Sequence, residues 1–550
     1  MSSSFLRRRL IRVLLVMAAG ASRLLGVPVD LMERIPLVPY PQKLVYRGEK
    51  VPFPRDISVQ GLDGRNPGEA RTMETLQALF RLMPDVKADF GGGFPYKITF
   101  EKDARITQPE GYALTSDATG VTVRFGTEAG EFYGAQTAYQ LLAYAYHGTQ
   151  FLLFDQRPAE VQRCLPVLSI EDAPAYAIRS SMADLGRAPF SPALLKRLIR
   201  IMGQLKLNTL HLRLYDDELC GFRFAHLPLG QENPHALAAD DLVEIVRYAR
   251  TYHIAVIPEL ESWGHVQSII YHYPQLRGGP GMTGGSSFGI GEPTYALLEK
   301  IYEEIIACLD DTAAVHVGLD EAVWAALPGT ENQGGSPAAL VGRIHQILMR
   351  VAARQHKQIT MHLWADHGGR PLPKELEGKV VIEPWAYVET NGPDIINKLK
   401  QYGGAGKTPL MMGAGNGWGQ VHGDYEATRI WCIEGRKYPN VLGVTLCLWG
   451  SNDLAGRLVT LYGGAGFAWN PNQPQRAPND PCGELLRARI DADMRNWQVI
   501  FSDADPGAID ADRGPEAGLG RYLWPPRARQ AVAPTVDFVP PGAGSSGPAR

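Results

Sequence analysis

The order of apolar and polar positions divides the chain into three parts. Between residues 31 and 175, stretches such as Tyr112-Ala-Leu-Thr and Val121-Thr-Val-Arg-Phe125 alternate with the period of half-buried strands. A run over 129–144 follows in which Phe132, Ala135, Ala138, Tyr139 and Leu142 fall near helical spacing. This pattern predicts a small α+β unit whose helix packs one face on the strands. From about residue 178 the pattern becomes strand, helix, strand, helix. Ser191-Pro192 gives a helix start, with Ser as cap and Pro at the first position. Leu194, Leu195, Leu198, Ile201, Met202 and Leu205 then form a stripe of 3.6-residue period. Asp240 is placed to cap the next helix, whose apolar positions are Leu242, Val243, Ile245, Val246 and Ala249.

The alternation predicts eight strands, over 178–185, 208–215, 254–258, 313–319, 358–364, 380–385, 408–412 and 441–449. Further helices are expected over 294–309, 338–354, 393–401 and 425–436. Eight such units within 176–470 predict a (β/α)8 TIM barrel. A doubly wound open sheet would carry a Gly-rich phosphate turn after its first strand, and none is present. The fold class is therefore α/β, a TIM barrel preceded by an α+β domain over 31–175.

Both ends differ from this pattern. Arg7-Arg8-Arg9-Leu10-Ile11-Arg12 precedes an apolar run that ends at Ala19-Gly-Ala21, the layout of an export signal over 1–30. The run is too short for a bilayer-spanning helix. A periplasmic or secreted protein is expected, with no stable membrane span in the mature chain. Residues 471–550, with a possible helix over 482–499, are rich in Pro and Gly and read as a largely disordered tail.

Composition narrows the chemistry. A net charge of −3 over 550 residues gives no basis for wholesale nucleic-acid binding. Six scattered cysteines with no CxxC pair argue against a structural zinc site. No cofactor is expected.

In a parallel barrel the chemistry gathers at the C-terminal ends of the strands. The expected strand ends carry Asp184, Asp216-Asp217, Glu259-Leu-Glu261-Ser-Trp263-Gly-His265, Asp320-Glu321, Trp364-Ala-Asp366-His367, Trp385-Ala-Tyr387 and Trp449-Gly450. Carboxylates interleaved with tryptophans suit a carbohydrate, whose C–H faces stack on indoles while its hydroxyls donate to carboxylates. The stretch from His316 to Glu321 is the most telling. Adjacent residues on a strand point to opposite faces. Asp320 and Glu321 share one site only if the strand ends and the backbone turns. Asp216, Glu259, His265 and Asp320 have the donor types for a divalent ion, but no HxH or HExxH spacing supports a metal, and none is expected. A Ser/His/Asp hydrolase would need a G-x-S-x-G elbow, which is absent.

These motifs resemble the family-20 glycoside hydrolases, the β-N-acetylhexosaminidases. Their H-x-G-x-D-E signature is similar to His316–Glu321. Their H-x-H-x-x-D-D resembles His211-Leu-Arg213-Leu-Tyr-Asp216-Asp217, and their P-E-x-D-x-P-G-H resembles the stretch from Pro258 to His265. Pro39-Tyr-Pro41-Gln42, Phe132-Tyr-Gly-Ala-Gln136 and Ile170-Glu-Asp-Ala-Pro174 resemble the α+β domain that precedes the family's barrel.

The resemblance implies removal of terminal β-linked N-acetylhexosamine, GlcNAc or GalNAc, from glycans and glycoconjugates. It implies a retaining mechanism in which the substrate's acetamido oxygen is the nucleophile. Glu321 is then the acid and base, Asp320 the partner of the acetamido group, and His265 with Asp216 the support of Glu321. Arg179 is assigned to sugar hydroxyls. Trp364, Trp385, Trp418 and Trp449 are assigned to the walls. The alternatives are a retaining glycosidase of different amino-sugar or disaccharide specificity and a non-catalytic glycan-binding barrel.

The chain also departs from the family. Glu261 replaces the usual Asp, and Ser262-Trp263 replaces Met/Thr-Pro. The Glu that usually follows the last-strand Trp-Gly is missing, as is the Tyr that usually holds the acetamido oxygen. Tyr387, Tyr425 or Asn416 is left to take the latter role.

Overall fold

The computed structural model describes residues 35–64, 66–147, 163–281, 285–327, 336–366, 372–387, 392–417, 425–450 and 454–473. The export-signal reading, the 482–499 helix and almost all of the expected tail lie outside these residues.

The first unit is a seven-stranded mixed sheet. Its strands are β1 (Lys43–Pro52), β2 (Asp56–Gln60), β3 (Lys87–Phe90), β4 (Tyr96–Lys102), β5 (Tyr112–Ser116), β6 (Gly120–Phe125) and β7 (Cys164–Asp172), in the spatial order β1-β7-β5-β6-β4-β2-β3. Two helices accompany it, α1 (Pro67–Arg81) and α2 (Glu128–His147). The one-faced packing expected of α2 is too modest. Residues 130–144 are buried all round, because the helix is clamped between this sheet and the barrel. Helix α1 was not foreseen; Asn66 caps it by accepting the Glu69 amide, and Pro67 occupies its first turn.

The second unit is a closed barrel of eight parallel strands: β8 (Ile178–Asp184), β9 (Thr209–Arg213), β10 (Ala255–Glu259), β13 (Thr312–His316), β14 (Gln358–Trp364), β15 (Val380–Glu383), β16 (Leu410–Asn416) and β17 (Val441–Leu448). Between β10 and β13 the chain makes a short ribbon, β11 (Arg277–Pro280) with β12 (Ser286–Phe288). The outer helices are α3 (Pro192–Gln204), α4 (Ala239–Arg250), the one-turn α5 (Gln267–Ile270), α6 (Glu292–Ala307), α7 (Pro337–Arg354), α8 (Gly392–Tyr402), α9 (Glu426–Gly435) and α10 (Leu454–Trp469).

Local sequence explains the helix starts. Ser191 and Ser336 accept the amides of Leu194 and Ala339, each at 3.2 Å, with Pro next in line. Asp240 does not cap α4. The helix begins at Ala239, so Asp240 lies in its first turn, and Asp241 reaches back to accept the Ala238 amide at 2.8 Å.

Candidate active site

Strand β13 ends at His316, and the chain then turns sharply. Gly318, Leu319 and Glu321 have φ of 66°, 81° and 46°. Positive φ is uncommon for residues other than glycine and costs on the order of 1–3 kcal/mol each. At Gly318 the need for glycine is doubled, because a Cβ there would lie 2.1 Å from Glu261 Oε2. This turn brings both acidic side chains to one imidazole. His265 Nε2 is 3.5 Å from Asp320 Oδ2 and 3.3 Å from Glu321 Oε2.

The other edge of His265 faces Asp217 Oδ2 at 3.1 Å and Asp216 Oδ1 at 3.3 Å. The partnership expected with Asp216 is therefore shared with Asp217, the nearer of the two. Burial opposes the charged ring, but Asp320 and the bonds to Asp216, Asp217 and Glu321 outweigh it and raise the His265 pKa well above its ordinary value. His265 is an imidazolium surrounded by carboxylates.

Two arginines complete the charge balance. Arg213, fully buried on β9, donates from Nε to Asp216 Oδ2 at 2.6 Å and from Nη1 to Glu259 Oε1 at 2.7 Å. Its Nη1 also lies 2.8 Å from Glu261 Oε1. A guanidinium thus occupies the space among these carboxylates. Burial works against the charge on Asp216, and Arg213 with His265 and Arg187 overcomes it, holding the carboxyl well below its usual range. Arg187 lies 3.1 Å from Asp216 and 3.5 Å from both Asp184 and Glu218.

Arg179 is not in this site. It stands near the first residue of β8, at the opposite end of the barrel, and is completely buried against the N-terminal unit. Its guanidinium makes a forked pair with Glu110 at 2.8 and 3.0 Å and donates to the Lys206 and Tyr176 carbonyls. Arg187, just past the C-terminal end of the same strand, is the arginine that reaches the site.

The aromatic wall is continuous. Trp364 is fully buried and donates from Nε1 to Glu259 Oε1 at 2.6 Å. Its ring lies 5.7 Å from that of Trp449, whose centroid is 4.8 Å from the Arg213 guanidinium and 5.2 Å from that of Arg187. Trp385 stacks on Tyr387 at 5.4 Å with 9° between the planes, and Tyr387 meets Trp449 edge-on at 6.2 Å. Trp418 lies outside the described residues. Of the three candidates for the acetamido clamp, Tyr387 alone joins this wall. Tyr425 stacks on Phe467 of α10, and Asn416 is buried and accepts from Thr460 of the same helix.

The fold brings here four residues to which sequence reasoning assigns no individual role, Asp184 and Asp366 being placed by it only at strand ends. Asp184 Oδ2 accepts the Gly450 amide at 2.9 Å. Asp366 accepts the Trp385 indole at 3.1 Å and the Glu321 amide at 3.4 Å. Burial, and then the charge of Asp320, lifts the Asp366 pKa to about 6. Arg187 and Arg213 are the other two. The signal for Arg187 was its position three residues beyond the polar end of a strand. Arg213 carried no signal, since a buried arginine inside a barrel strand is not expected without partners.

The model of "Glycosyl hydrolase family 20, catalytic domain" matches residues 176–401, and that of "Glycosyl hydrolase family 20, domain 2" matches residues 34–173. The chain is 28% identical over 232 residues to a beta-hexosaminidase of Porphyromonas gingivalis, a match covering 38% of this chain and 29% of that protein. It is 27% identical over 308 residues to beta-hexosaminidase subunit A2 of Dictyostelium discoideum, covering 52% of this chain and 54% of the relative. The matched stretches therefore span about half or less of these relatives.

Among solved structures, the N-acetyl-beta-hexosaminidase of Streptomyces plicatus, in complex with Thio-NAglucal, has a TM-score of 0.61 at 20% identity, covering 86% of this chain and 97% of that one. The exo beta-N-acetylglucosaminidase of Vibrio harveyi, in complex with N-acetylglucosamine, has a TM-score of 0.60 at 18% identity, covering 85% and 77%. These likenesses establish the shared fold. With the two domain matches in the family's order and the D-E pair at the end of the fourth barrel strand, the chain belongs to glycosyl hydrolase family 20, as a divergent member.

Proposed function

We propose that this chain is a β-N-acetylhexosaminidase that removes terminal N-acetylhexosamine from glycans with retention of configuration. The observation that carries this reading is the turn after β13, which gathers Asp320, Glu321 and the His265 imidazolium into one site. Two adjacent carboxylates, one acting as acid and the other staying ionised, are what substrate-assisted cleavage requires.

In the proposed cycle the substrate's acetamido oxygen attacks the anomeric carbon as the bond to the leaving oxygen breaks. Glu321 gives its proton to that oxygen. Asp320 accepts the acetamido N–H and balances the positive charge that develops on the oxazolinium ring. Water then attacks the anomeric carbon, Glu321 takes its proton, and the acetamido group is restored. Tyr387 is proposed to donate to the acetamido oxygen, Trp364 and Trp449 to enclose the methyl group, and Arg187 to bind ring hydroxyls. The basic N-terminus supports export, so the proposed substrates are periplasmic or extracellular glycoconjugates. Among the described residues, no helix is long and apolar enough to cross a membrane.

A second reading, release of a larger unit than one sugar, draws on a cavity of about 590 Å³ beside the site. Asp217, Glu218 and Glu232 line it, and Tyr271, 76% exposed, stands at its edge. Proton NMR of the first product formed tests the main reading. The β-anomer of a free N-acetylhexosamine is expected. The α-anomer would overturn retention, and a disaccharide product would favour the second reading.

A further inference from the structure

Beneath the acid pair, oxygens of Glu259, Glu261 and Asp320 all lie within 4.8 Å of one another. All three residues are buried, so their mutual repulsion is poorly screened by water. The nearest cations are shared among more carboxylates than they can neutralise. Arg213 is hydrogen-bonded to Asp216 and Glu259 and also forms an ion pair with Glu261 Oε1 at 2.8 Å. His265 serves Asp216, Asp217 and Glu321 as well as Asp320. Among the described residues, Asp320 Oδ1 is buried with no hydrogen-bond partner, and Glu261 Oε1, also without a hydrogen bond, meets only the Arg213 charge. A lone pair of a buried carboxylate left unmatched is destabilising, because water no longer satisfies it. A proton on Glu261 would remove one negative charge from the cluster and, donated to Asp320, would match the Oδ1 lone pair.

We propose that Glu261 is a positioning residue that works as a neutral carboxylic acid, donating its hydrogen bond to Asp320 while its other oxygen accepts the Leu319 amide. The second half of that arrangement is already formed, with Leu319 N–H 3.2 Å from Glu261 Oε2. Glu261 thereby grips the strained turn at Leu319 and the side chain of Asp320 together. The groups facing it are Arg213 from β9, Glu259 from β10, Asp320 after β13, His265, Tyr215 and Tyr302 of α6. Burial and then Asp320 push the Glu261 pKa well above the usual carboxylate range, and Arg213 works in the opposite direction. The aspartate that the family usually has here is one methylene shorter, so the longer side chain is the feature particular to this chain.

This inference rests on the proposed hydrolase reading for its kinetic arm only. The full-length protein is compared with Glu261→Gln, Glu261→Asp and Glu261→Leu. An amide reproduces both hydrogen bonds of a neutral acid, so Glu261→Gln is expected to keep kcat within about threefold of wild type on 4-nitrophenyl β-GlcNAc. Loss of a hydrogen bond to a charged group, about 1.5–3 kcal/mol, lowers kcat about 10- to 100-fold in Glu261→Leu. Glu261→Gln also extends activity on the alkaline side, because the amide has no proton to lose.

Infrared difference spectra at neutral pH are expected to show a carboxylic-acid C=O band in wild type that is missing in Glu261→Gln. A kcat in Glu261→Gln as low as in Glu261→Leu, or no band lost, overturns the proposal. Inactive wild type with the band present would refute the hydrolase reading and leave the neutral acid established.

Discussion

His265 Nε2 lies 3.3 Å from Glu321 Oε2, joining the loop after the third barrel strand to the acid delivered by the fourth. The opposite nitrogen is held by Asp217 at 3.1 Å, so the ring has little freedom to leave. A fixed cation beside a carboxyl group favours its ionised form. His265→Phe removes that cation and keeps the planar ring. Its kcat is expected to fall about 100-fold with a smaller change in KM, and the alkaline limb of kcat should move to higher pH. A wild-type pH profile in this variant would show that His265 does not act on Glu321.

Arg187 and Arg179 are eight residues apart and at opposite ends of the barrel. KM should separate their neutral variants. Arg187→Met is expected to raise KM and, because buried Asp184 and Asp216 lose a cationic partner, also to lower stability in urea. Arg179→Met breaks a buried forked pair with Glu110 and should cost about 3–5 kcal/mol in urea unfolding, with KM unchanged.

Gly318 leaves no room for a side chain. Gly318→Ala places a methyl group against the Glu261 carboxylate at a position where φ is already 66°. The turn must shift, so kcat should fall sharply while the variant loses only about 1–3 kcal/mol of stability. Normal kcat with a folded protein would show that the turn does not set the acid geometry.

Glu383 lies inside the barrel, fully enclosed. Burial raises its pKa from 4.5 to about 7, with His211 and a hydrogen bond from Thr445 opposing. A group whose folded pKa exceeds its unfolded value contributes stability below the unfolded pKa and loses it as pH rises through the folded one. Glu383 stays protonated in the fold while the unfolded chain ionises, so about 3 kcal/mol of stability is lost between roughly pH 4.5 and 7, taking 1.36 kcal/mol per pKa unit. Glu383→Gln should flatten that part of the stability curve. An unchanged slope would contradict the buried neutral state.

The barrel was legible because each strand and helix has its own period, and a cap such as Ser191 marks where a helix starts. The acid pair was legible because Asp320 and Glu321 are adjacent in sequence at a strand end. What the sequence did not disclose were relations across strands. Arg213 lies on a strand whose five residues are all buried, and only the closed barrel shows that Asp216, Glu259 and Glu261 converge on it. Arg179 was misassigned because it opens its strand, and chemistry gathers at the other end. Arg187 was available by the same rule. Similarly, Asp217 had no assigned role until folding placed it closer than Asp216 to His265.

The most direct test of the account is hydrolysis of 4-nitrophenyl β-GlcNAc and β-GalNAc by wild type, Asp320→Asn and Glu321→Gln, with a thiazoline analogue of the oxazolinium intermediate as inhibitor. The account predicts turnover by wild type that the thiazoline blocks, and a loss of about 100-fold or more in both variants. Turnover that survives in both variants, or a folded wild type inactive on both substrates, would contradict it.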